Sequence, residues 1–178
     1  NRFMNIDKSK PVLVTGGNGY IASWVVKYLL EDGVDVHATV RDPENEKKVG
    51  HLKEIAKNAP GNLTLFKADL LDKTAFDAPM QGCELVMHTA SPFFIGKVTD
   101  PKRQFIEPAL QGTEAVLEAC NRVESVRRVV LTTSCAAIYG DNADMAERGL
   151  EEYTEEQWNE SSSLEHNPYS YSKTIAEQ

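Results

Sequence analysis

Four apolar or β-branched residues, Val12–Thr15, run straight into the glycine cluster Gly16-Gly17-Asn18-Gly19, and a helical pattern begins directly behind it. Strand, tight glycine turn and helix in that order suit a nucleotide diphosphate. The glycines let the backbone approach the phosphates. The helix N-terminus presents unpaired N–H groups and a partial positive charge. Two spacings are satisfied at once, Gly17-x-Gly19-x-x-Ala22 and the wider Gly16-x-x-Gly19-x-x-Ala22. The stretch Val12–Ser23 therefore constrains the rest of the chain more than any other.

The remainder alternates strand and helix. From Gly19, Ile21, Ala22, Val25, Val26, Leu29 and Leu30 recur at helical spacing until Gly33. Val34–Val40 reads as a second strand, Glu44–Asn58 as a polar helix, and Leu63–Ala68 as a third strand. Asp72–Met80 reads as a short helix or turn and Glu84–Thr89 as a fourth strand. An irregular loop then runs from Ser91 to about Asp100. A long helix over Pro101–Arg122 is expected to deform near Pro108, and Val126–Thr133 is the fifth strand. Residues 139–168 are acidic and turn-rich and read as a surface loop with one short helix. Tyr169–Gln178 starts another helix that lacks a C-cap signal, so the chain reads as part of something longer. This alternation predicts an α/β fold, a doubly wound parallel sheet of Rossmann type with helices on both faces. Residues 1–10 are expected to be a flexible segment, and 11–178 one nucleotide-binding domain ending within the helix of Tyr169.

With 178 residues, 41% of them hydrophobic and 26% charged, the chain has room for one domain with a real core. A net charge of −8 speaks against a nucleic-acid or anionic membrane surface, but an anionic cofactor needs only a local basic patch. No apolar run approaches the ~20 residues of a membrane span, and NRFMNIDKSK holds no apolar stretch of signal-peptide type. Three scattered cysteines, Cys83, Cys120 and Cys135, suit neither a disulfide framework nor a zinc site. A reducing, cytoplasmic setting without a metal is the expectation. Composition says nothing of the oligomeric state.

Candidate chemistry lies at the strand ends. After the second strand comes Arg41, with Lys47 and Lys48 on the next helix. Their charge and forked donors favour the 2′-phosphate of NADP, while Asp42 keeps NAD as a minor alternative. Asp69 suits an adenine amino group or, equally, a helix cap. The segment His88-Thr89-Ala90-Ser91-Pro92 should border the cofactor, with His88 itself a core histidine. Ser134 ends the fifth strand. Tyr169 and Lys173, four apart, share a helix face. A phenol beside an ammonium can protonate a carbonyl oxygen while hydride attacks the carbon, and a serine hydroxyl can hold that oxygen.

Taken together, VTGGNGYIASWVVKYLLEDG, ATVRDPENEKKVGHL, FKADLLD, MHTASP, GTEAVLEAC, RRVVLTTS and YSYSKTIAEQ resemble the extended short-chain dehydrogenase/reductases, within them the dihydroflavonol reductase and cinnamoyl-CoA reductase group. The likeness runs from Pro11 onward. It implies NADP(H) as cofactor and reduction of a small carbonyl substrate, an aldehyde, ketone or activated acyl group. Ser134, Tyr169 and Lys173 would be the catalytic triad, with Tyr169 the proton donor. Lys173 would also bind the nicotinamide ribose. Phosphates would lie on Gly16 to Ile21, Gly19 and Tyr20 included. The 2′-phosphate would fall to Arg41 and Lys48, the adenine to Asp69 and Leu70, and the nicotinamide side to Thr89, Ala90 and Ser91. Tyr139 stands where dihydroflavonol reductases usually place an asparagine, and Pro168 where cinnamoyl-CoA reductases have tryptophan, so the resemblance favours a general carbonyl reductase over a flavonoid enzyme. It implies a further substrate domain that this chain does not contain. Two alternatives remain at this point: a nucleotide-sugar epimerase or dehydratase holding NAD, and a non-catalytic NADP redox sensor.

Overall fold

The computed structural model describes residues 6–91 and 97–178. Five parallel strands form one sheet in the order β3-β2-β1-β4-β5: β1 Val12–Thr15, β2 Val36–Val40, β3 Leu63–Lys67, β4 Leu85–His88 and β5 Arg128–Leu131. The helices are α1 Tyr20–Glu31, α2 Glu46–Lys57, α3 Asp77–Met80, α4 Glu107–Arg122, α5 Asn142–Glu147 and α6 Pro168–Glu177. The chain divides into two compact units, Asn1–Ala90 with Glu114–Thr132 and Ser91–Thr113 with Thr133–Gln178.

The first unit is the doubly wound sheet, and its core follows from the period-two alternation of β1. Val12 and Val14 face one side and pack with Ala22, Val26 and Leu30 of α1 and Leu52 of α2. Leu13 faces the other, among Phe76, Met80, Val86, Ala115, Val116 and Ala119. Each fully buried Leu or Val side chain contributes about 2 kcal/mol of hydrophobic stabilisation. Strand order reverses beside β1, between β2 and β4, which opens a crevice at the C-terminal strand ends.

Several expected strands run one to four residues long. Val34, expected as the start of β2, instead closes α1. Gly33, at φ +78°, donates to the Leu30 carbonyl and Val34 to that of Leu29, a Schellman ending in which Val34 is buried without being a strand residue. The Asp72–Met80 segment is helical only over Asp77–Met80; before it, the Asp72 carboxylate accepts from the Thr74 N–H.

The second unit is made of turns and short helices. The deformation expected near Pro108 is a π-helical turn over Lys102–Ile106, where the Glu107 N–H reaches back to the Lys102 carbonyl. Pro108 has no N–H to donate, and its ring crowds the preceding turn, so the turn widens. Residues 139–168 carry the one short helix the sequence suggests, but they are not all surface. They hold α5, and Asn159 and Ser162 are buried. α6 begins with Pro168 at its first turn, preceded by Asn167 in the left-handed region at φ 56°. It packs against the π-helical turn and the 3₁₀ turn Cys135–Ala137.

Candidate active site

In the first unit, the cradle at Gly16–Ile21 is made by the backbone. Gly16 sits at φ +63°, and a Cβ there would stand 2.9 Å from the Ala90 Cα; at Gly17 it would stand 2.7 Å from the Ala38 Cβ. The turn is fastened to β2, with the Gly17 N–H on the Thr39 carbonyl at 2.9 Å and the Gly16 N–H on Thr39 Oγ1 at 3.2 Å. No side chain caps α1 and no acidic residue sits in its first turn, so its N–H groups and positive end are left to a ligand. Tyr20 and Ile21 turn their side chains outward, Tyr20 with 84% of its surface exposed. These positions can serve a phosphate through main-chain N–H groups. The turn geometry and the uncapped helix fit a dinucleotide pyrophosphate.

The β4 end is locked to β1 through Thr15. Its hydroxyl accepts from the Thr89 and Ala90 N–H groups at 3.1 and 3.0 Å, and lies 2.7 Å from His88 Nδ1. With both lone pairs taken, the hydroxyl proton goes to Nδ1, which places the imidazole proton on Nε2. The Thr89 hydroxyl donates to the Thr15 carbonyl. His88 is buried and engaged in holding this corner together, as a core histidine would be.

Arg41 and Lys48 are exposed, and among the described residues neither makes an ion pair. Asp42 closes a turn, its carboxylate accepting from the Glu44 N–H at 3.1 Å. Asp69, an exposed side chain, likewise closes a turn, its carboxylate accepting from the Leu71 N–H at 2.9 Å. Leu70 packs at the margin of the second core.

The second unit holds Ser91, Ser134, Tyr169 and Lys173. Lys173 is buried, its Nζ 5.5 Å from the Tyr169 ring centre and donating to Ser91 Oγ. Burial holds its pKa below the usual lysine range. Phe105 of the π-helical turn meets the Tyr169 ring edge-on, 6.5 Å between centres and at 81°. Ser134 stands immediately before the 3₁₀ turn and accepts the Ala136 N–H at 3.2 Å. α6 therefore presents Tyr169 and Lys173 on a helix packed against the turn that Ser134 opens. Sequence reasoning missed Phe105 and Asn159. An aromatic residue three before Pro108 was the available signal for the first. Pro92, named with the β4 segment, lies outside the described residues.

A glycine turn at the switch point of a parallel sheet, opening an uncapped helix, defines a dinucleotide-binding class of domain. A model described as the NAD dependent epimerase/dehydratase family matches residues 12–178, and the chain belongs to that family. It is 54% identical over 127 residues to a cinnamoyl-CoA reductase of Medicago truncatula, which covers 71% of this chain and 38% of that protein. It is 41% identical over 175 residues to an anthocyanidin reductase of Arabidopsis thaliana, covering 96% and 50%. Among solved structures it is similar to yeast methylglyoxal/isovaleraldehyde reductase Gre2 complexed with NADPH, with a TM-score of 0.75, 31% identity, and coverage of 94% of this chain and 50% of that one. The chain thus spans half or less of the length of these relatives. Among the described residues no helix is long and apolar enough to cross a membrane.

Proposed function

We propose that this protein is an NADPH-dependent reductase that passes hydride to the carbonyl carbon of an aldehyde, ketone or activated acyl substrate. The observation that carries the reading is the Lys173 ammonium, buried over the Tyr169 ring on a helix packed against the Ser134 turn. Burying an ammonium costs stability, and here it is buried beside a phenol, on a helix packed against a serine-led turn. The relatives' names, a cinnamoyl-CoA reductase, an anthocyanidin reductase and a methylglyoxal/isovaleraldehyde reductase complexed with NADPH, support the same reading.

NADPH, when bound, supplies the hydride. Main-chain N–H groups over Gly16–Ile21 would hold its pyrophosphate, Arg41 and Lys48 its 2′-phosphate, and Asp69 and Leu70 its adenine. Thr89, Ala90 and Ser91 would border the nicotinamide. Tyr169 releases its proton to the carbonyl oxygen as that carbon is reduced. Ser134 donates a hydrogen bond to the same oxygen. Lys173 would stabilise the phenolate left behind and would donate to a ribose hydroxyl of the bound cofactor. The free thiols of Cys83, Cys120 and Cys135 suit a reducing compartment, which we take to be the cytoplasm.

Two measurements on the intact protein test this. NADPH is expected to bind at least about tenfold tighter than NADH, with Arg41→Ala removing most of the difference; equal affinities overturn the cofactor assignment. Tyr169→Phe is expected to lower kcat by about a hundredfold or more while leaving NADPH affinity unchanged. Carbonyl reduction that survives this change refutes Tyr169 as the proton donor.

A further inference from the structure

The stretch between Ser134 and Tyr169 carries a polar network that the proposed chemistry does not use. Asn159 is buried and fully bonded. Its N–H donates to the Ala137 carbonyl at 2.9 Å, and its Nδ2 to the Ala136 carbonyl at 2.8 Å and to Ser162 Oγ at 2.9 Å. Its Oδ1 accepts from the Ser162 N–H at 3.0 Å. Ala136 is the residue whose own N–H is held by the Ser134 hydroxyl. Asn159 thus grips the same turn from the carbonyl side that Ser134 grips from the amide side.

A second set of bonds lies a few residues further along both segments. Ser161 Oγ accepts from the Asp141 N–H at 2.8 Å and donates to Asp144 Oδ2 at 2.7 Å. His166 Nε2 lies 2.8 Å from each Asp141 carboxylate oxygen. A Cβ at Gly140 would overlap Ser161 Oγ and stand 2.5 Å from Asn159 Oδ1, so the two segments meet closely only because residue 140 is glycine. From His166 the chain needs only Asn167, in its left-handed conformation, and Pro168 to reach Tyr169.

The network therefore ties the serine-bearing turn to the segment that launches α6. We propose that Asn159, aided by the Asp141–His166 pair, is a positioning residue that fixes the Ser134 hydroxyl relative to the Tyr169 phenol. This rests on the reductase reading for its kinetic consequence, though not for the latch itself. Asn159 touches neither substrate nor cofactor in this scheme; it acts through Ser134. A carboxamide suits the position, because both carbonyl and amide partners must be satisfied in a buried place where an unmatched group is costly.

The test is a double-mutant cycle in the intact protein, with an exchange measurement beside it. Asn159→Ala is expected to lower kcat about tenfold while the KM for NADPH stays within about twofold. In a Ser134→Ala background the same change is expected to cost less than about twofold, because the group it positions is gone. Losses that simply add overturn the proposal. His166→Ala, at an exposed residue, is expected to lower kcat about threefold, and His166→Gln, which restores a donor to Asp141, to recover it. Failure of glutamine to recover the rate removes the Asp141–His166 pair from the proposal. Amide exchange at Ala136 is expected to quicken about tenfold in Asn159→Ala, with β1 amides unchanged. Unchanged Ala136 exchange overturns the latch without any reference to turnover. Failure of the reductase reading is seen separately, as wild-type protein that consumes no NADPH with any carbonyl while Ala136 exchange still responds to Asn159→Ala.

Discussion

The proposed phosphate cradle and the proposed catalytic residues are built from different materials. The cradle in the first unit is a backbone device, with its shape set by the positive φ of Gly16, the closeness of Ala38 and Ala90, and an uncapped helix end. The polar side chains buried around it, Thr15, Thr39 and His88, carry no required charge, and Thr15 binds main-chain groups. The cluster in the second unit is a side-chain device. It buries an ammonium, and its serine and tyrosine segments are joined by asparagine, serine, aspartate and histidine side chains. A backbone device fails when there is no room, whereas a side-chain device fails when a partner is lost.

Two glycines turn that contrast into a measurement with the largest expected effect. In Gly16→Ala the new Cβ meets backbone, Ala90 Cα at 2.9 Å, and the residue must hold φ +63°. Main chain cannot swing aside, so destabilisation of about 3 kcal/mol is expected in denaturant unfolding, with loss of NADPH affinity. In Gly140→Ala the obstruction is the Ser161, Asn159 and Asp144 side chains, which can yield by giving up hydrogen bonds to one another and to the backbone. A stability cost of about 1 kcal/mol is expected there, with kcat rather than cofactor affinity reduced. Equal costs at the two sites would break the distinction.

Lys173 sharpens the comparison from the other direction, with a smaller effect and the opposite sign. Burial lowers its pKa from the ordinary 10.5, so between the lowered value and 10.5 the unfolded chain binds more protons than the native one. Stability therefore rises with pH across that window. The penalty of the buried charge is fully present below it, neutral pH included. Lys173→Met removes the charge and keeps much of the volume. The variant is expected to be more stable by about 1 kcal/mol at neutral pH, to lose activity, and to lose the wild-type rise in melting temperature on approach to pH 10. A variant that melts lower at every pH would show that the Ser91 bond outweighs the desolvation.

The same contrast explains what could be read from the sequence. The cradle was legible because local spacing decides it: strand, glycines and helix are adjacent, and Arg41 follows β2 directly. Tyr169 and Lys173 were legible because four residues is one helical turn. Asn159 was not. It lies in an acidic stretch without periodicity, and its partners, the carbonyls of Ala136 and Ala137, are remote in sequence. Pro108 marked where the long helix deforms, but whether a missing N–H produces a kink or a π-helical turn depends on packing that no local pattern encodes. Val34 was misplaced for a related reason. A buried valine next to a strand and one inside it share the same pattern, and only the Leu29 carbonyl distinguishes them.

The smallest effect concerns the three thiols, and it tests whether the first unit is as closed as a backbone-built cradle requires. Cys83, two residues before β4, is completely buried within the second core, and burial pushes its thiol up to about 12; Cys120, on α4, is pushed to about 11. Both are held as thiols at working pH, and neither reacts without an opening of the core. Cys135 is exposed in the turn after Ser134. In native protein at mildly alkaline pH, an alkylating reagent is expected to modify Cys135 quickly and to reach Cys83 only at the rate set by unfolding. Mass spectrometry of the labelled peptides reads this directly. Because Cys83 reports opening of the first unit alone, Gly16→Ala should accelerate its labelling by roughly the factor that its stability loss predicts, while Gly140→Ala should barely change it. Cys83 labelling as fast as Cys135 in the wild type would mean that the sheet opens freely, and that the glycine turn is held by less than the packing against Ala38 and Ala90 implies.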